Sequence, residues 1–191
     1  MLLLEERGFA RQILRDVRSG KSRIAGICGG FQMLGDEILD PHGIENSNLV
    51  KKGLGLIPVS TSMESDKVLR KFAGTHLESG SRVCGYEIHH GRTSLSKNSG
   101  SSPADALSPL FDNIPDAGVS VPGGTVWGSY IHGIFDNDDF RHWFINRERE
   151  MSGMPPVLSI NPYSIENAIE EFSRIVRDRI DLDYIRKNLG L

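Results

Sequence analysis

The chain has 191 residues, 38% hydrophobic and 25% charged, enough to bury one substantial core and predicting a single domain over 1–191. A formal net charge of -3 leaves no basic surplus to neutralise phosphates, so the composition argues against a nucleic-acid partner. Two cysteines, Cys28 and Cys84, without a pairing motif indicate a reducing compartment rather than a disulfide scaffold, and they set up no zinc site.

The start Met1-Leu2-Leu3-Leu4 turns acidic at Glu5, too soon for a signal peptide, and no run reaches transmembrane length. The expectation is a soluble, cytoplasmic protein without a membrane partner. From Leu2 to Val17, Phe9, Ala10, Ile13, Leu14 and Val17 follow helical spacing, with Gly20 as the stop. Ile24, Ala25 and Ile27 then read as a strand that enters Gly26-Ile27-Cys28-Gly29-Gly30-Phe31-Gln32-Met33. A second helix is predicted from about Gly30 to Leu39, ending before Pro41. Strands are predicted over Leu54 to Ser60 and Arg82 to His89, the latter offering Val83, Tyr86 and Ile88 for burial. The Ser/Pro/Gly/Asp-rich stretch from Ser94 to Pro122 reads as a long surface loop with a short apolar turn at Leu107 to Phe111. Thr125 to Ile131 is a strand and Asp138 to Met151 a helix whose start is marked by Asn137 and Asp138. A final helical region spans Ile165 to Leu189, where Ile165, Ala168, Ile169, Phe172, Ile175 and Val176 form a stripe that reads as core packing.

Three segments carry chemistry. Cys28 stands where a strand turns sharply into a helix, with glycines on both sides giving room for a second backbone and a substrate, the pattern of a nucleophile elbow. The helix start facing the sulfur is expected to lower the thiol pKa, making Cys28 more reactive towards alkylation than Cys84. By residue type alone Cys28 also fits a buried structural cysteine. The second segment, Gly128-Ser129-Tyr130-Ile131-His132-Gly133-Ile134-Phe135-Asp136, ends a strand in a histidine, and neighbouring strand ends in a parallel sheet can bring a base to a cysteine far away in sequence. The third is Gly85-Tyr86-Glu87-Ile88-His89-His90-Gly91-Arg92-Thr93. There Glu87 and His89 share one strand face and Tyr86 and Ile88 the other, while Arg92 lies beyond the strand in a glycine turn, its fork free to grip a carboxylate. No spacing here makes a metal site.

These segments, together with Asp40-Pro41-His42-Gly43-Ile44-Glu45 and Gly53-Leu54-Gly55-Leu56-Ile57-Pro58-Val59, resemble the amidotransferase domain of cobyric acid synthases. Those domains belong with the cobyrinic acid diamide synthases among the class I glutamine amidotransferases. The resemblance implies an α/β, flavodoxin-like domain that lacks its N-terminal strands. It also implies a glutaminase in which Cys28 attacks the side-chain amide of glutamine, His132 relays protons, Arg92 grips the substrate and the Gly29 amide donates to the oxyanion. In the complete enzyme the ammonia passes to a synthetase domain that uses ATP and Mg²⁺ to amidate carboxylates of a corrin ring. No cofactor is implied for this chain itself.

The sequence departs from the family in two ways. Many class I amidotransferases carry Glu two residues after the catalytic histidine, where this chain has Ile134, which leaves Glu87 or Asp136 to orient His132. The synthetase domain with its phosphate loop, the first strands of the amidotransferase sheet and the second oxyanion donor are not in this sequence. The chain is therefore expected to associate with that missing portion or with itself. Two other readings stay open: an inactive remnant or interaction subunit of such an enzyme, and a related amidotransferase acting on another substrate. A cysteine hydrolase unrelated to glutamine is disfavoured by the Gly91-Arg92-Thr93 turn.

Overall fold

Helical spacing across the first seventeen residues is broken by Gly8, whose φ of 77° favours glycine, and the chain forms two helices there, α1 (Leu2–Glu6) and α2 (Phe9–Arg18). The computed structural model describes residues 1–45, 50–96 and 107–190. They fall into two compact units, Met1–Pro156 and Val157–Leu191. In the first, α2 is followed by β1 (Ile24–Ile27), α3 (Gly29–Leu34), β2 (Glu37–Leu39), β3 (Val50–Lys52), β4 (Val59–Thr75) and β5 (Arg82–Leu95). Then come β6 (Ser108–Pro109), β7 (Gly118–Ser120), β8 (Val126–Ser129), β9 (Ile131–His132) and α4 (Asp138–Met151).

The strands make two sheets. One has the order β1-β8-β7-β6, with β1 and β8 parallel, and the other the order β3-β2-β4-β5-β9. Along β8 side chains alternate between two cores. Val126 and the following Tyr130 pack with Phe31, Leu34, Ile57 and Val59, whereas Trp127 and Ile131 pack with Phe72, Val83, Phe111 and Phe140. Each such buried apolar side chain contributes about 1.5–3 kcal/mol. β1 is an edge strand, and no described strand pairs with its outer side.

Several elements differ from their sequence-based expectation, each for a tertiary reason. The helix predicted to reach Leu39 stops at Leu34, because Glu37–Leu39 pair as a strand with both β3 and β4. The strand expected at Leu54 begins only at Val59. The amides of Leu54, Gly55, Leu56 and Ile57 are drawn instead to the carbonyls of Met33, Leu34 and Gly35, satisfying groups that the end of α3 leaves open. β4 and β5 form a long hairpin, with a register shift between Met63 and Val68, that carries β5 past His89 to Leu95. Tyr86, expected to be buried, is exposed on that hairpin. Within the predicted loop, residues 97–106 lie outside the described residues, while Leu110 and Phe111 are buried.

The predicted Thr125–Ile131 strand is divided between the two sheets at Tyr130. Ser129 makes this turn possible: its fully buried hydroxyl donates to the Ala117 carbonyl at 2.8 Å and accepts from the Ile131 amide at 3.0 Å.

The second unit contains two helices, α5 (Ile165–Arg179) and α6 (Leu182–Leu189), because Ile180 takes an extended conformation. Ile165, Ile169, Phe172 and Ile175 are exposed, so the stripe read as core packing is not a core: neither helix has a buried residue.

His76 in the first unit is enclosed by the rings of Phe111, Phe140 and Trp143, and its Nδ1 accepts from the Ser79 amide at 3.2 Å. Burial, helped by the charge of Arg147, pushes its pKa from 6.5 down to about 4. The unfolded chain therefore binds a proton in this window that the folded chain refuses, so stability falls as pH drops from 6.5 towards 4. Urea unfolding across that range should show an acid-side loss of about 3 kcal/mol in the parent that is absent from His76→Phe. Parallel pH curves for the two proteins would show that His76 does not carry the effect.

Candidate active site

Cys28 has φ 53° and ψ -113°, the one described non-glycine residue at positive φ. Such a backbone is costly and persists only where its surroundings hold it. Here the Cys28 amide donates to the Ser129 carbonyl at 2.8 Å, extending the β1·β8 ladder, while its own carbonyl accepts the Gln32 amide at 3.2 Å and opens α3. Close packing of α3 on the strands depends on two glycines. A Cβ on Gly26 would come within 2.6 Å of the Gly30 backbone, and one on Gly128 within 2.0 Å of the Phe31 ring. The turn thus has the geometry of a nucleophile elbow.

The thiol of Cys28 is half-buried and lies 3.7 Å from the Ile88 carbonyl of β5, to which it donates. Its pKa runs opposite to the sequence-based expectation. Burial pushes it up and Glu45 adds to that, while a hydrogen bond from the Gly29 amide pulls it down without prevailing. The reason is geometric: α3 has only six residues, and desolvation of the sulfur outweighs the help from its first amide. Cys84 is exposed, so the expected preference of alkylating agents for Cys28 loses its basis in a lowered pKa.

His132 reaches the same β5 segment through β9, which pairs with β5 on the edge away from β4. β9 pairs with β5 so that His132 stands opposite Tyr86 and Ile131 opposite Glu87. The imidazole stacks on the Tyr86 ring at 5.1 Å between centroids and 9° between planes, and its Nε2 is buried without a hydrogen-bond partner. Asn137 secures the end of this strand. Its side chain accepts from the Cys84 amide and donates to the Cys84 carbonyl, both at 2.9 Å, rather than capping α4 as its position suggested. Cys28 and His132 therefore both meet the same short stretch of β5, Tyr86 to Ile88.

The other sequence-derived candidates separate. Glu87 is buried on the face of β5 opposite Tyr86, where Arg70 donates to both of its oxygens at 2.8 and 3.1 Å and His89 Nε2 lies 3.6 Å away. It has no hydrogen bond to His132. Asp136 is exposed in the turn after His132, its amide bonded to the Gly133 carbonyl, and likewise makes no hydrogen bond to the imidazole. Arg92 lies within β5, not in a turn beyond it: it pairs in register with Ser62, is exposed, and by alternation shares the face of Tyr86 and Ile88. Gly29 is exposed at the start of α3 and lines a cavity of about 190 Å³ with Gln32, Asp40, Glu45 and Lys51. A larger hollow of about 770 Å³ beside α4 lacks the elbow residues, so size alone does not locate the site.

Sequence reasoning missed the polar cluster behind the elbow. The Tyr130 hydroxyl meets Thr93 Oγ1 at 2.6 Å and accepts from Gln32 Nε2 at 3.4 Å, Thr93 reaches Thr61 at 2.7 Å, and His89 stacks on the Tyr130 ring. Burial holds the Tyr130 hydroxyl above its ordinary pKa and the His89 imidazole below its own. The available signal was polar residues recurring at alternate strand positions. Among the described residues no group of three His, Cys, Asp or Glu is arranged to hold a metal, and no helix is long and apolar enough to cross a membrane.

Comparison with known proteins gives the family. Residues 1–140 match the model of the CobB/CobQ-like glutamine amidotransferase domain. The adenosylcobalamin biosynthesis bifunctional protein CobDQ of Leptospira interrogans is 36% identical over 185 residues, covering 96% of this chain and 21% of that protein. The cobyric acid synthase of Brucella canis is 37% identical over 183 residues, covering 96% of this chain and 35% of that protein, and that of Nitratidesulfovibrio vulgaris is 34% identical over 221 residues, covering 98% and 40%. The chain thus spans well under half the length of these relatives. A crystal structure of a glutamine amidotransferase superposes with a TM-score of 0.53 at 16% identity, over 80% of this chain and 72% of that one, which supports the α/β fold. The chain belongs to the CobB/CobQ-like glutamine amidotransferase domain family.

Proposed function

We propose that this chain hydrolyses glutamine through Cys28 and His132 and supplies the ammonia to a synthetase domain. The observation that carries the reading is the strained Cys28 backbone, with its sulfur at the Ile88 carbonyl beside the strand position where His132 is held. In the reaction, His132 takes the Cys28 proton and the thiolate attacks the amide carbon of the glutamine side chain. The Gly29 amide donates to the oxyanion that forms. Collapse breaks the carbon–nitrogen bond, ammonia leaves with a proton from His132, and a γ-glutamyl thioester remains on Cys28. Water that gives a proton to His132 then attacks the thioester and releases glutamate. The cavity beside Gly29 has both Glu45 and Lys51 in its wall, which suits an amino acid carrying an ammonium and a carboxylate; Arg92 is not among its lining residues.

The relatives named cobyric acid synthase support corrin side-chain carboxylates as the acceptor of that ammonia and cobalamin formation as the process. ATP and Mg²⁺ would be held by the synthetase domain, since this sequence has no glycine-rich phosphate loop. The raised thiol pKa and the edge position of β1, whose outer side no described strand pairs with, also favour a second reading, an inactive remnant or binding subunit. Activity separates the two. Glutamate release should be measured for the chain alone and together with the remaining length of a relative such as the Brucella canis enzyme. Activity should be feeble alone, since loss of one oxyanion donor costs about 100–1,000-fold, and should rise with the added portion. Cys28→Ala should abolish it, and His132→Ala should lower it by about 100-fold or more. Turnover that survives Cys28→Ala would overturn the mechanism, whereas no turnover in a well-folded complex would favour the remnant.

The thiol itself gives a further expectation. Only the thiolate reacts with iodoacetamide, so a raised pKa places the midpoint of Cys28 labelling above the ordinary cysteine value of about 8.5. Peptide-resolved labelling between pH 6 and pH 10 checks this; a midpoint below the ordinary value would show that the helix start prevails over burial after all.

A further inference from the structure

A histidine that serves as base to a cysteine needs its ring fixed, and a carboxylate on the far nitrogen is the usual means. Among the described residues no carboxylate does this for His132. The position two residues after His132 is the buried Ile134, Glu87 faces away and is occupied by Arg70, and Asp136 makes no hydrogen bond to the ring. The imidazole nevertheless has one defined neighbour, the Tyr86 ring lying parallel to it. We propose that Tyr86 is the positioning residue for His132, taking over by stacking the orienting part that a carboxylate plays elsewhere. The inference rests on the Cys28–His132 reading above.

Four observations support it. Tyr86 and His132 are directly paired residues of an antiparallel ladder, where side chains on one face stand close enough to interact. The strands approach closely at this point, because a Cβ on the adjacent Gly85 would lie 2.2 Å from the His132 carbonyl oxygen, and Asn137 ties down the end of β9. His132 Nε2 is buried and unpartnered, which leaves it free to exchange a proton with a group brought to it. Tyr86 itself is 47% exposed and its hydroxyl makes no hydrogen bond among the described residues, so burial and polar bonding do not account for the residue. A ring face also carries negative potential. When the proton passes from Cys28 Sγ to the imidazole, leaving a thiolate and an imidazolium, that face favours the cation.

The test reads Cys28 directly, without requiring turnover. The full chain and its Tyr86→Phe, Tyr86→Leu, Tyr86→Thr and His132→Ala variants are labelled with iodoacetamide at pH 7.5, and the Cys28 peptide is quantified by mass spectrometry. His132→Ala should slow Cys28 labelling about tenfold and Tyr86→Leu about fivefold, while Tyr86→Phe stays within about twofold of the parent. The strand-forming Tyr86→Thr should behave like Tyr86→Leu, which guards against a folding defect in one variant. In NMR spectra the His132 ring protons should be shifted upfield in the parent and in Tyr86→Phe but not in the other two Tyr86 variants. Parent-like labelling of Tyr86→Leu and Tyr86→Thr, with His132→Ala slow, would sink the positioning role and leave the dyad standing. Labelling of Tyr86→Phe as slow as that of Tyr86→Leu would assign the effect to the hydroxyl and overturn stacking. An unchanged rate in His132→Ala would remove the dyad and this inference together.

Discussion

At Ser129 and Tyr130 the chain leaves one sheet and joins the other, and the geometry of the site depends on that corner. The Ser129 carbonyl anchors the Cys28 amide, and its hydroxyl bridges the Ala117 carbonyl and the Ile131 amide where the two ladders part. Without those bonds the corner would bury unpaired backbone groups, at about 1–3 kcal/mol each. Three residues further on the chain has delivered His132 to β5, against which the Cys28 sulfur already rests. A single buried serine therefore holds the corner between the ladder that continues into Cys28 and the one that carries His132.

The same strand handles two kinds of polar burden on its two faces. One face buries Glu87 and His89, which is tolerable because Arg70 pairs with the carboxylate and the Gly91 carbonyl accepts from His89 Nδ1 at 2.7 Å. The other face presents Tyr86 and Arg92 towards solvent. An acid suited by residue type to complete a triad is thereby committed to holding the hairpin. Electrostatics at the sulfur follows a similar competition. Desolvation and Glu45 oppose the Gly29 hydrogen bond, so the resting thiol is held protonated, and a base beside it gains importance.

The relatives place this domain inside longer proteins, and the edge position of β1 bears on that. An edge strand offers a row of backbone donors and acceptors to another chain segment. In this sheet the edge strand is also the one that carries the elbow, so whatever pairs with it would lie next to Cys28. The helices of the second unit expose an apolar stripe for a different reason: two short helices do not supply enough surface to bury it between them.

The sequence by itself determined the local features whose cause lies within a few residues. The strand before Cys28, the elbow glycines, the helix from Asp138 to Met151 and the alternation that divides Glu87 and His89 from Tyr86 and Ile88 were all legible, because steric permission and side-chain periodicity are local properties. The motifs around Cys28, Glu87 and His132 also carried the family. The tertiary structure alone decided the extents of β4 and β5, the early end of α3 and the division of the His132 strand, since each depends on which distant backbone supplies the hydrogen bonds. It also decided that Arg92 lies in a strand, that Glu87 serves Arg70 and that the Cys28 thiol pKa is raised. Burial and pairing are sums over neighbours brought together by the whole fold, and no window of sequence contains them.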